Sequence, residues 1–107
     1  MTVEKEQKIR KARRVNLRCV LSFSSDEIEG KAHVTNISTG GCRAESEINV
    51  AEGLEFQVHL QIPNQASPVR IERATVRWVK GSAFGLSFML FLPSERAILQ
   101  KFLDPIT

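Results

Sequence analysis

Three features of the sequence predict a small all-β fold, a six-stranded antiparallel β-barrel with one C-terminal α-helix. Apolar and polar residues alternate with a period of two over most of residues 15–90, the pattern of strands with one face in a core. Short clusters of turn formers, among them Ser38-Thr39-Gly40-Gly41, Glu52-Gly53 and Lys80-Gly81-Ser82, separate these runs at hairpin spacing. Only after Pro93 does the apolar pattern change to a helical one.

The first strand runs from Val15, with Val15, Leu17, Cys19, Leu21 and Phe23 on one face. Ser24 to Glu27 turns the chain, and Ile28 to Thr35 forms a second strand with Ala32 and Val34 inward, delivering Asn36 at its end. The glycine pair at 40–41 permits positive φ and leaves backbone amides uncovered; a short third strand follows over Cys42 to Ala44. Leu54, Phe56, Val58, Leu60 and Ile62 alternate without a break and define the fourth strand.

In the fifth strand the apolar phase slips, from Val69 and Ile71 to Ala74, Val76 and Trp78. A β-bulge near Glu72-Arg73 would absorb that slip and supply the bend a closed barrel needs. Phe84, Leu86, Phe88 and Leu90 make the sixth strand. Beyond Pro93, Ser94 is the expected N-cap, Glu95 suits the first-turn dipole, and Ile98, Leu99, Phe102 and Leu103 share one face for docking on the sheet.

At 107 residues the chain has room for one core, and its 42% hydrophobic and 25% charged residues fit a soluble globular domain. The net charge of +3 conceals an asymmetry. Residues 1–18 hold seven basic against two acidic side chains, whereas the rest is slightly acidic, which points to a localised anionic partner. Residues 1–14 therefore read as a flexible basic arm and residues 15–107 as the barrel with its helix.

Cys19 and Cys42 lack metal-ligand spacing and read as two buried free thiols of a cytoplasmic protein. The longest wholly apolar run, Phe88 to Leu92, is too short to cross a bilayer, so no membrane insertion is expected. His33 and His59 read as surface residues, and no nucleophile elbow, paired-carboxylate site or phosphate loop is present. Neither an enzyme, a cofactor nor a metal is expected.

Two short motifs remain. Arg10-Lys11-Ala12-Arg13-Arg14 places cations four apart before the first strand, and Asn36-Ile37-Ser38-Thr39-Gly40-Gly41 sets an amide and a hydroxyl beside two glycines. Taken singly, the arginines are a solvated tail, and Asn36 and Ser38 are turn formers making local bonds. Together, and ahead of Val76-Arg77-Trp78 and Phe84-Gly85-Leu86-Ser87-Phe88, they form a more specific constellation.

On these residues the chain resembles the PilZ domain family, bacterial receptors for the second messenger cyclic di-GMP. The resemblance runs from Arg10 to Leu103. Arg10 and Arg14 match the family's Arg-x-x-x-Arg element, and Asn36, Ser38 and Gly41 match its Asp/Asn-x-Ser-x-x-Gly element. Ile9 stands where many members carry a further arginine, a position tied to whether one or two ligand molecules bind. The resemblance implies a ligand site drawn from Arg10, Arg13, Arg14, Asn36, Ser38, Gly40, Gly41, Arg43, Trp78 and Gly85. It also implies a partner protein that receives the signal in motility, pilus assembly or exopolysaccharide synthesis.

The chemistry agrees with that implication. A cyclic dinucleotide with two phosphodiesters and two guanines needs guanidinium forks for phosphate or the O6/N7 edge, planes for stacking, and short polar groups for base edges. Gly41 would allow close backbone approach. Arg43 and Arg77 fall where supporting cations would, and Trp78 lies on the apolar phase, which places it in the core, although family members bring an aromatic near a base here. Two rival readings are a small barrel that binds single-stranded nucleic acid and a ligand-independent interaction module of the same fold. The absence of tyrosine and of an exposed aromatic ladder argues against the first, and the presence of both motifs against the second.

Overall fold

The computed structural model describes residues 15–63 and 65–104, with side chains from Cys19 onward. The expected arm, residues 1–14, lies outside the described residues. Six strands run in order: β1 (Val15–Ser24), β2 (Glu29–Ser38), β3 (Gly41–Glu45), β4 (Glu55–Gln61), β5 (Val69–Lys80) and β6 (Ala83–Leu90), then helix α1 (Pro93–Leu103). They close into an antiparallel barrel in the order β1-β2-β3-β6-β5-β4, with β4 returning to β1. The fold expected from the alternation is the fold observed.

Closure arises from the pattern. Leu21, Phe23, Ala32, Val34, Cys42, Ala44, Phe56, Val58, Leu60, Ile71, Ala74, Val76, Phe84 and Leu86 all point inward and are buried, so each strand buries the face its apolar residues define. Phe23 is the hub at one end of the interior, tilted against Phe56 at 4.8 Å and edge-on to Phe84 at 6.0 Å between ring centroids. Cys19 and Cys42 are both buried thiols, as expected.

A bulge on β5 lies where the apolar phase slips: Phe56 faces Ala74 and Val58 faces Ile71, leaving Glu72 and Arg73 opposite the single residue Gln57. β2 runs three residues further than its apolar pattern reaches, to Ser38, because Asn36, Ile37 and Ser38 pair with Arg43, Cys42 and Gly41. Asn36 therefore sits within a strand. Leu90, assigned to the core by alternation, is exposed at the barrel's end.

Helix α1 begins one residue before the expected cap. Leu92 occupies the N-cap without a side-chain hydrogen bond, and Pro93 starts the helix with its φ already set, so Ser94 is not the cap. Glu95 does more than meet the helix dipole, since its Oε1 accepts the backbone N–H of Arg70 at 2.8 Å and ties the helix to the start of β5. Leu99 and Leu103 are buried, whereas Ile98 is turned partly to solvent.

Candidate functional site

The register brings one line of residues together on the outer face of the barrel. Asn16 on β1 pairs with Asn36 on β2, Asn36 with Arg43 on β3, Arg43 with Gly85 on β6, and Gly85 with Trp78 on β5. Outward residues at one level of a sheet are cross-strand neighbours. Residues far apart in sequence, Asn36, Arg43, Gly85 and Trp78, thus form a continuous row.

β1 enters this row directly, with Val15 opposite Ile37 and Asn16 opposite Asn36. Val15, the first described residue, therefore stands beside the Asn36 corner. Arg10, Arg13 and Arg14 themselves lie outside the described residues.

Trp78 is not a core residue. Arg77 is an extra residue on β5 between the pairs Val76/Leu86 and Trp78/Gly85, and this second bulge turns the indole outward, where it is 41% exposed. The ring lies over Gly85: a Cβ there would overlap indole Nε1 and stand 2.6 Å from Cε2. Gly85 is thereby the floor on which Trp78 rests. Arg77 Nε donates to Ser87 Oγ at 3.0 Å, holding the bulge residue against β6.

The turn itself works differently from expectation. Ser38 is 2% exposed; its hydroxyl accepts the Gly40 N–H at 3.1 Å and donates to the Gly41 carbonyl at 3.4 Å, so it shapes the turn from within. Gly41 is buried, and a side chain there would run into the Leu86 carbonyl, so its missing Cβ lets β3 close on β6. Positive φ occurs at Gly53 and Gly81, not at the 40–41 pair. Gly40 is exposed, and its carbonyl accepts the Phe88 N–H at 2.9 Å.

Arg43 is half-buried at the centre of the row. Its Nη1 donates to Thr35 Oγ1 and to Glu45 Oε2, each at 3.0 Å. Thr35 and Glu45 also line a groove of about 380 Å³ with Cys19, Val20, His33 and Val34, so the row opens into a depression along β1 to β3. Burial pushes the Cys19 thiol up to about 11, which keeps it protonated and a poor nucleophile near neutral pH. Among the described residues no cluster of His, Cys, Asp or Glu could hold a metal, and no helix is long and apolar enough to cross a membrane.

Sequence reasoning missed Thr35, Glu45 and Ser87. Thr35 and Ser87 fall on the outward phase of the alternation and Glu45 lies one residue past the expected third strand, but which outward residues meet depends on strand register, and register depends on bulges that the pattern only partly reveals.

A closed six-stranded antiparallel barrel with one C-terminal helix, and a polar and aromatic row on its outer face, defines a small all-β domain. The chain belongs to the PilZ domain family, whose model matches residues 8–104. No curated protein matches it in sequence. Among solved structures, the Bacillus subtilis inhibitor of motility MotI/DgrA is similar with a TM-score of 0.75 and 17% identity, over 91% of this chain and 50% of that one. YcgR from Escherichia coli in complex with c-di-GMP gives 0.74 and 15%, over 91% and 45%. The PilZ domain of the same Escherichia coli YcgR with c-di-GMP gives 0.69 and 15%, over 90% and 89%. At these identities the likeness is one of fold. The chain spans about half the length of MotI/DgrA and of the longer YcgR chain.

Proposed function

We propose that this protein is a non-enzymatic cytoplasmic receptor for cyclic di-GMP that passes the signal to a partner protein. The observation that carries the reading is the register, by which Asn36, Arg43 and Trp78 share one row and β1 begins, at Val15 and Asn16, opposite Ile37 and Asn36. The membership in the PilZ family and the fold shared with c-di-GMP-bound YcgR support it.

In this reading Trp78 offers a stacking face, Arg43 and the arm's arginines take phosphate or guanine O6/N7, and Asn36 reads a base edge. Ser38 and Gly41 act one step back, by fixing the corner on which Asn36 stands. Ligand draws residues 1–14 onto this face, and the partner reads the altered charge and shape. Inhibition of motility, as in the name of MotI/DgrA, is one destination for such a signal.

Calorimetric titration with cyclic di-GMP, beside GMP and cyclic di-AMP, tests class, selectivity and stoichiometry together. Uptake of cyclic di-GMP alone is expected. Each charge-assisted hydrogen bond is worth about 1.5–3 kcal/mol net, so Arg14→Ala should weaken binding roughly ten- to a hundredfold while thermal unfolding stays unchanged. Amide protection through residues 8–14 should rise on binding. Salt-steep binding of RNA or DNA that cyclic di-GMP does not alter would replace this reading.

A further inference from the structure

The guanidinium at the centre of the row is already occupied by an anion. Among the described residues, both hydrogen bonds that the Arg43 side chain donates use Nη1, one to Thr35 Oγ1 and one to Glu45 Oε2, each at 3.0 Å. Thr35 also donates from the same hydroxyl to the Arg43 carbonyl at 3.4 Å, so this neutral residue grips Arg43 at backbone and side chain. The orientation of Arg43 therefore has a holder other than Glu45. What Glu45 adds is charge.

That charge stands where a phosphodiester would be opposed by it. Glu45 is two residues along the outward face of β3 from Arg43 and faces His33 on β2 and Ala83 on β6. Its side chain is 47% exposed and that of Arg43 39%, so the pair is open to an incoming ligand. A phosphate on the free edge of the guanidinium would lie roughly 7 Å from the carboxylate, within the Debye length of about 10 Å at 0.1 M salt.

We propose that Glu45 is a built-in brake on ligand affinity: it neutralises Arg43 in the free protein and repels the phosphodiester that must compete for the same guanidinium. The proposal rests on the receptor reading above and assigns that site an affinity-setting residue. Two like charges at this separation in a largely aqueous setting are worth about threefold in an equilibrium constant, more where the ligand excludes water. The brake would place the working range of the receptor at higher messenger concentration than the cationic groups alone would give.

The test is a calorimetric titration of cyclic di-GMP into the wild type, Glu45→Gln, Arg43→Ala and the double variant, at low and high salt, with thermal unfolding as a check on folding. Glu45→Gln should bind roughly three- to tenfold tighter than the wild type at low salt. The gain should shrink at high salt and fall in the Arg43→Ala background, where no guanidinium is left for carboxylate and phosphodiester to compete for. Weaker binding by Glu45→Gln would overturn the proposal, because it would make the carboxylate a support that aims Arg43. A gain of undiminished size without Arg43 would overturn it too, by reducing Glu45 to a surface charge with no link to the guanidinium. If the wild type takes up no cyclic di-GMP at all, the receptor reading is what fails, and the brake falls with it.

Discussion

β5 carries two bulges some five residues apart, and the protein uses them for opposite ends. The first, at Glu72 and Arg73 opposite Gln57, returns Ala74 to the interior after Ile71, so that the strand can bend and keep filling the core. The second, at Arg77, interrupts that inward series and throws Trp78 out onto the face that carries Arg43 and Asn36. An inserted residue reverses the facing of every later residue in its strand. One reversal here repairs a core, and the other withdraws an aromatic side chain from it.

The two glycines that β3 and β6 contribute to this face sharpen the contrast, because one serves the barrel and the other serves the tryptophan. A methyl group at Gly41 would meet the Leu86 carbonyl, a backbone atom of the neighbouring strand with nowhere to go. Gly41→Ala should therefore be the most damaging change, at the upper end of the ~1–3 kcal/mol cost of overpacking or beyond it. A lowered denaturant midpoint would report it. Stability equal to the wild type would mean that β3 and β6 do not approach as closely as described.

A methyl group at Gly85 meets the indole of Trp78 instead, and an exposed side chain can swing away. Gly85→Ala should cost about 1–2 kcal/mol, less than Gly41→Ala, while moving the ring off the row. Trp78 is the only tryptophan in the sequence, so its fluorescence reports that movement without ambiguity. An unchanged emission spectrum would show that the indole does not rest on Gly85.

The two bulges also mark what could be read from the sequence and what could not. The first leaves a trace, since Val69 and Ile71 fall on one phase and Ala74 and Val76 on the other. The second leaves none: Trp78 continues the phase of Ala74 and Val76, and alternation has no means of telling an apolar residue turned outward by a bulge from one that stays inward. Similarly, Asn36 and Ser38 were legible as a motif, but not the division of labour between them. Ser38 is consumed by its own turn because its hydroxyl reaches both the Gly40 amide and the Gly41 carbonyl, a matter of local geometry. Arg43 could be suspected from its charge, yet its pairing with Glu45 and Thr35 needed the register. The barrel was legible because period-two burial is repeated in six strands, whereas each contact of the site occurs once.

Trp78→Ala separates the second bulge from the first in energetic terms. Because the indole is 41% exposed, its loss should change stability by less than about 1 kcal/mol, far below the ~3–5 kcal/mol that a core aromatic costs. Binding of cyclic di-GMP should weaken by roughly tenfold, in line with about 1–3 kcal/mol for base stacking on an aromatic ring. The reverse outcome, a large loss of stability with affinity intact, would return Trp78 to the core and remove the functional meaning of its bulge.

The smallest effect belongs to the residue that makes this bulge. Arg77 is exposed and its guanidinium bonds to Ser87 Oγ at 3.0 Å and reaches Met89 Sδ at 3.7 Å, contacts that lie along the surface of β6. What turns Trp78 outward is the presence of a residue at position 77, not its side chain, because the extra backbone unit alone shifts the facing of the strand. Arg77→Ala should then change stability by no more than about 0.5 kcal/mol and leave the tryptophan emission where it was. A red or blue shift on that substitution would instead assign the outward pose of Trp78 to the arginine's grip on β6, making the bulge a consequence of the side chain rather than its cause.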